Sequence, residues 1–307
     1  MIEYAERNHQ AFHLAGIIPV HGQEFDFGFD WHDTLMPIAP NYTAVERAVV
    51  ECAYAGCSTI WIVVSDEMEP LIRYRIGDYV QDPVYLYRNF DKFPSNSRRP
   101  IPIYYVPIKP KDAGIRDCLP FSVVHGSLSV FKISKNLSTW LTPNRYYVAF
   151  PQAVYDPKVL RPHRKKISIK EPFHLSYEGK TVKDGEYLGF TFDAKDWLQF
   201  RRNIRKGTGQ WSTEGVEETI YPRIRLPIEE RFSGKYFSLE DVLGTVVLGD
   251  EPVDVPWYYP IDSWEGYCKF IGSKERLEVS RPEKRMLNYR EFNPIGRDVE
   301  KVLDEDD

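Results

Sequence analysis

The chain has 307 residues, 42% of them hydrophobic and 28% charged, which is the composition of an ordinary globular protein with enough material for a sizeable core. Its net charge of −5 argues against nucleic acid or an anionic membrane as the partner of the whole surface. No run approaches the roughly 18 apolar residues of a membrane-spanning helix, and the polar start from Met1 to Gln10 has no apolar leader.

Taken in order, Leu14-Ala-Gly-Ile-Ile-Pro-Val20 is an apolar run of the kind buried inside parallel sheets. A long irregular segment, His21 to Asn41, follows. Thr43 and Glu46 then have the spacing of a capping box. The helix they open places Val45, Ala48, Val49, Cys52 and Ala53 on one face, and Gly56 ends it. Thr59–Val64 predicts a second buried strand, with Asp66 and Glu67 just past its carboxyl end and a helix over Met68–Ile76.

Ile101–Pro107 predicts a third strand, with Pro102 pointing to an edge or irregular position. Phe121–Leu137 reads as a helix, Arg145–Phe150 and Glu186–Phe192 as strands, and Ala194–Ile204 as a helix. A helix capped by Ser238 is expected to run toward Leu248. Val253–Tyr259 predicts a last strand before a helix over Asp262–Gly272. Strands alternating with helices predict an α/β fold: a mixed, mainly parallel, Rossmann-like sheet with helices on both faces. No linker interrupts it, so residues 1–298 read as one domain and 299–307 as an acidic tail. The cysteines Cys52, Cys57, Cys118 and Cys268 form no paired motif, which fits reduced thiols in a cytoplasmic protein.

The order of these segments resembles the sugar-nucleotide nucleotidyltransferases, whose fold is of the nucleotide-diphospho-sugar transferase type. The segments that carry the likeness are Gly16-Ile-Ile-Pro-Val, Leu35-Met-Pro-Ile, Ala55-Gly56, Ile76-Gly-Asp, the helix Phe121–Leu137 with the strand after it, Leu239-Glu-Asp-Val, and Trp257–Ser273. Together they span most of residues 14–275. The chain is also similar to uncharacterised nucleotidyltransferase-like proteins of tailed phages. The resemblance implies a nucleotide and a sugar phosphate as ligands and Mg²⁺ as cofactor. It implies catalytic roles for His32, Asp33 and Asp156, with Asp156 also near the metal. It implies substrate contacts from His21, Gly22, Gln23, Asp66, Ser122, His125 and Gln152.

The departures from that family are chemical. Its glycine-rich loop holds phosphates with bare amides and an arginine. Here the stretch is His21-Gly-Gln-Glu-Phe-Asp-Phe-Gly, without arginine. Asp33 stands where the family keeps a lysine, and Pro151-Gln152 where it keeps a metal-binding aspartate. The second metal aspartate would fall near Lys269 or Phe270. An alternative therefore stands beside the enzyme: a catalytically silent binding or assembly component, a homo-oligomer or part of a virion.

Other features have bland readings as well as functional ones. Asp66 and Glu67 could contact a ribose or metal, or simply favour a helix start. His21, Asp26, Asp30, His32 and Asp33 share one loop and could hold a divalent ion, though in no recognised spacing, or bond to its backbone amides. The basic runs Arg161–Lys166 and Arg201–Lys206 could bind an anion or lie solvated. Trp257 and Trp264 could stack a base or fill the core.

Overall fold

The structure, a computed structural model, describes residues 12–22, 32–86, 100–114, 116–207 and 237–277. Gln23, Asp26, Asp30 and the acidic tail 299–307 lie outside the described residues. The chain begins with β1 (Leu14–Pro19), then a 3-10 turn at Asp33–Leu35 and a small hairpin of β2 (Pro37–Ala39) and β3 (Tyr42–Thr43). Next come α1 (Ala44–Ala55), β4 (Thr59–Val64), α2 (Glu69–Ile76), β5 (Tyr79–Gln81), α3 (Pro83–Leu86) and β6 (Pro100–Pro107). The long α4 (Leu119–Leu137) leads to β7 (Arg145–Val148), β8 (Ala153–Val154), a 3-10 turn at Pro157–Leu160 and α5 (Arg164–Ile167). After β9 (Leu175–Ser176) come β10 (Phe190–Phe192), α6 (Ala194–Gly207), α7 (Leu239–Leu243), β11 (Val253–Asp254), β12 (Tyr259–Pro260) and α8 (Trp264–Gly272).

Six strands form the central sheet in the order β10-β7-β1-β4-β6-β5. The inner four are parallel, and the flanking β10 and β5 run antiparallel to their neighbours. Such inner strands must be covered on both sides, which explains why all six residues of β1 are buried. Alternation along β1 sends Leu14 and Ile18 to the side packed by α1 and α2, and Ala15 and Ile17 to the side packed by α4, α6 and α7.

Two glycines set the helix distances. A Cβ on Gly16 would lie 2.8 Å from the Cys52 sulfur and 3.2 Å from that of Cys57, so α1 and its C-terminal turn close onto β1. A Cβ on Gly126 would lie 2.5 Å from Val63 Cγ2, so α4 sits directly on β1 and β4. Cys52, Cys57 and Cys118 are buried, and Cys268 is exposed.

Helix α1 starts where the capping box places it. The Glu46 carboxylate accepts from the Thr43 amide at 2.7 Å and from its hydroxyl at 2.9 Å, and Gly56 ends the helix at φ 91°. Every residue of α1 is buried, including Arg47 and Glu51. These two pair at 2.8 Å, with Arg47 Nη2 donating to the Phe150 carbonyl at 2.6 Å and Tyr147 donating to Glu51 at 2.7 Å. The Arg47 guanidinium also lies 4.8 Å from the centre of the Tyr155 ring.

Some expected elements differ. Pro102 does not mark an edge: β6 lies between β4 and β5. Its β5 side is paired only over Pro100–Pro102, which relaxes the demand for a continuous ladder there. The strand expected over Glu186–Phe192 shortens to β10. The one expected over Val253–Tyr259 splits into β11 and β12, with Pro256, which has no amide to donate, between them. The helix after Ser238 stops at Leu243, ahead of Gly244, rather than near Leu248. Among the described residues, no helix is long and apolar enough to cross a membrane.

Candidate functional site

The order of the inner strands defines a reversal. From β1 the chain moves to β4 and then β6 on one side, and only afterwards returns to β7 on the other side of β1. Helix α1 covers one face and α4 the opposite face. Open α/β sheets bind ligands beyond the carboxyl ends of the strands at such a reversal. Here the residues that leave β1 are Val20, His21 and Gly22, and those that leave β7 are Ala149 to Gln152.

His21 is fixed from three sides. Its amide donates to the Val63 carbonyl at 2.9 Å, and its carbonyl accepts from the Ser122 hydroxyl. Its ring Nε2 lies 2.9 Å from Asp117 Oδ1. Gly22 is pressed against the first turn of α4: a Cβ there would lie 2.8 Å from Leu119 Cδ2 and 3.2 Å from its backbone nitrogen. Ser122 is fully buried, so its contribution here is to hold the strand-end backbone. His125, one turn further along α4, places Nε2 3.1 Å from the Pro107 carbonyl at the end of β6, and burial pushes its pKa down.

On the β7 side, Gln152 is 3% exposed, and its Oε1 is buried with no hydrogen-bond partner. A buried amide oxygen left so is costly unless a donor or cation completes it. The Gln152 carbonyl accepts the Ile261 amide at 2.8 Å, β12 pairs antiparallel with β8, and half-buried Asp262 follows Ile261 in the chain. Tyr187 senses both Asp262 and Asp33; burial, then these carboxylates, push its hydroxyl pKa up. Asp33 and His32 are themselves buried, with His32 Nδ1 2.7 Å from Asp33 Oδ1, which also accepts the Thr34 amide at 2.7 Å.

The other residues singled out from the sequence are engaged locally or exposed. Asp156 caps the 3-10 turn that follows it, accepting the Lys158 amide at 3.0 Å. Asp66 is exposed in the turn before α2, whose cap position is Met68. In the basic run, Arg164 pairs with buried Asp82 and Lys166 with Glu251, so ion pairs occupy two of its cations. Trp257 stacks on Phe270 in the core, whereas Trp264 is 47% exposed. Among the described residues, no group of three or more histidine, cysteine, aspartate or glutamate side chains could hold a metal ion.

Two residues escaped the sequence reading. Asp117 precedes α4 and reaches His21 across 96 positions of sequence. Asp262, half-buried, follows Ile261, whose amide meets the Gln152 carbonyl; the second carboxylate had been expected near Lys269 or Phe270. Both of those lie inside α8, Lys269 paired to Glu265 at 2.7 Å and Phe270 in the core. The available signal for Asp262 was its position one residue before Ser263, the helix cap.

No family model matches the sequence, and none of the curated proteins does. Solved structures of similar backbone exist. A Bacillus anthracis protein assigned as a glucose-1-phosphate thymidylyltransferase, solved with sucrose, is 12% identical over 84% of this chain and 93% of its own, with a TM-score of 0.47. The UTP-bound UDP-glucose pyrophosphorylase of Acinetobacter baumannii is 11% identical over 96% of this chain and all of its own, with a TM-score of 0.46. Neither carries a residue's role over to this chain.

Proposed function

We propose that the chain binds a nucleotide, together with a sugar phosphate, in the crevice between the ends of β1 and β7, and that it transfers nucleotidyl groups weakly or not at all. The observation that carries this reading is the buried, unpartnered Oε1 of Gln152 at the strand reversal. Across the crevice, the His21–Gly22 backbone and the first turn of α4 would face the phosphates, and His125 would lie toward the base.

Of the residues at these strand ends, the unpartnered Gln152 Oε1 is a hard oxygen donor that would suit Mg²⁺, while Asp156 is engaged as a cap. A bound Mg²⁺ would polarise a phosphoryl oxygen. The residues argue against fast transfer. Attack at phosphorus redistributes negative charge and needs fixed cations. Asp33 contributes a carboxylate where a cation would serve, and the stretch 21–28 contains no arginine. Gln152 brings an oxygen but no charge.

The test is thermal shift with each nucleoside triphosphate, with and without Mg²⁺, beside pyrophosphate release in the presence of sugar 1-phosphates. Mass action predicts a rise in Tm for the triphosphate that binds, with pyrophosphate release about a hundredfold or more below that of a competent site. No shift with any nucleotide would reject the binding reading and favour an assembly component. Brisk release that Asp33→Ala abolishes would reject the weak-transfer reading.

A further inference from the structure

Helix α1 closes in a Schellman motif, and both of its hydrogen bonds are present. The Gly56 amide donates to the Ala53 carbonyl at 3.2 Å and the Cys57 amide to the Cys52 carbonyl at 3.1 Å, with Gly56 in the left-handed region at φ 91°. The motif sets the side chains at the two ends of its longer bond against each other, ordinarily as an apolar contact. Here those two residues are cysteines. Both sulfurs crowd one point beneath the helix: a Cβ on Gly16 would lie 2.8 Å from Cys52 Sγ and 3.2 Å from Cys57 Sγ. The thiols also interact with each other, since a hydrogen bond with Cys57 adds to the burial that pushes the Cys52 pKa up. The other sulfurs are elsewhere. Cys118 packs in the core on the opposite face of the sheet, and Cys268 is exposed on α8.

We infer that Cys52 and Cys57 are a modification site, a dithiol that a low-molecular-weight disulfide converts to an intrachain disulfide in the folded chain, stapling the end of α1 to the start of β4; nucleotide binding plays no part in it. The spacing hides the pair, because four residues separate the cysteines rather than the two of a Cys-x-x-Cys redox motif. A disulfide asks for Cα atoms about 4.4–6.8 Å apart and side chains aimed at each other. The backbone bond from Cys57 to Cys52 suits the first requirement, and the shared place beside Gly16 suits the second. Both thiols are buried, so the oxidant enters by way of the turn, where Gly56, Ser58 and Thr59 are half-buried. Cys57 loses its proton and attacks one sulfur of the oxidant; the oxidant's S–S bond breaks, and its other sulfur leaves as a thiolate. Cys52 then loses its proton and attacks the Cys57 sulfur of the mixed disulfide, releasing the second half of the oxidant as a thiolate. The two protons end on the two released thiolates, and the two electrons lost by the protein thiols reduce the oxidant. Burial governs the rate, since the turn must open to admit the oxidant. The equilibrium is governed by how closely the fold holds the two sulfurs.

The experiment equilibrates the full-length chain carrying Cys268→Ser, which removes the exposed thiol, with oxidised and reduced glutathione at about pH 8, near the ordinary thiol pKa. Parallel samples contain denaturing urea. After an acid quench the remaining thiols are alkylated under denaturing conditions. Mass spectrometry then reads the tryptic peptide Ala48–Arg73, which contains both cysteines. The folded chain is expected to yield this peptide unalkylated and two hydrogens lighter, with Cys118 alkylated. At one glutathione ratio the bridged fraction over the dithiol fraction should be about tenfold higher in the folded chain than in urea. By linkage the same factor should raise the Tm of the bridged form by about 3 °C. Cys52→Ser in the same background should stop at a glutathione adduct on Cys57. Wild type gives the same peptide readout if the Cys268→Ser chain melts early. Alkylation of both Cys52 and Cys57 after oxidation of the folded chain, a bridge to Cys118 instead, or equal ratios in buffer and in urea would each overturn the inference.

Discussion

Replacing Arg47 by methionine should be among the most damaging single changes in the chain. The side chain is fully buried and holds Glu51, the Phe150 carbonyl and the Tyr155 ring together. Methionine fills the aliphatic space but leaves Glu51 without its cation and the Phe150 carbonyl with only the Ala153 amide as donor. Breaking a buried pair by removing one partner costs about 3–5 kcal/mol, a large part of the roughly 5–15 kcal/mol that holds a domain folded. The loss should depend on pH with a definite sign. Burial raises the folded-state pKa of Glu51 above its ordinary value. A raised group contributes stability that is present at low pH and lost as pH climbs through the folded value. Without Arg47 the buried charge is worse placed, so Arg47→Met should lose more at pH 7 than at pH 5. Urea unfolding at both pH values measures this, and Arg47→Met/Glu51→Gln should lose less than Arg47→Met alone. A loss below about 1 kcal/mol at pH 7, or a loss that grows toward pH 5, would refute the argument, since an uncompensated buried carboxylate cannot behave that way.

The other expectations concern packing, metal and capping. Gly126→Ala should destabilise by about 1–3 kcal/mol in urea despite the better helix former, because its Cβ would overlap Val63. Gln152→Asp adds a carboxylate at the proposed metal position, and should increase Mg²⁺ affinity about tenfold, read as the Mg²⁺ dependence of Tm. Asp156→Ala should lose about 1 kcal/mol of stability through its cap while leaving that Mg²⁺ dependence unchanged.

The sheet was legible because the physics of its inner strands is local. The apolar runs of β1, β4 and β7 can only be buried on both faces, and Thr43 with Glu46 announces α1 within four residues. His21 and Gly22 could be placed by position alone, since they follow a buried strand. What pairs with them could not. Asp117 meets His21 only once α4 has docked on β1, an approach decided by the small size of Gly126. Ile261, just before Asp262, meets the Gln152 carbonyl beside a two-residue pairing of β8 with β12, too short to leave a periodic pattern in the sequence. The capping of the 3-10 turn by Asp156 was legible only as spacing: a carboxylate two residues ahead of an amide is placed to accept from it.

The burial of Cys52, Cys57 and Cys118 beside the exposure of Cys268 provides an internal chemical clock. A thiol reagent added to the native chain should modify one sulfur at once and the rest only when the structure opens. Cys52 and Cys57 report the separation of α1 from β1, since both press on Gly16. Cys118 reports the start of α4, next to Asp117 and the Gly22 contact. A nucleotide seated at the strand ends should slow the Cys118 reaction more than the other two. The sulfur that slows would thus reveal which part of the molecule the ligand grips, before any ligand-bound structure is known.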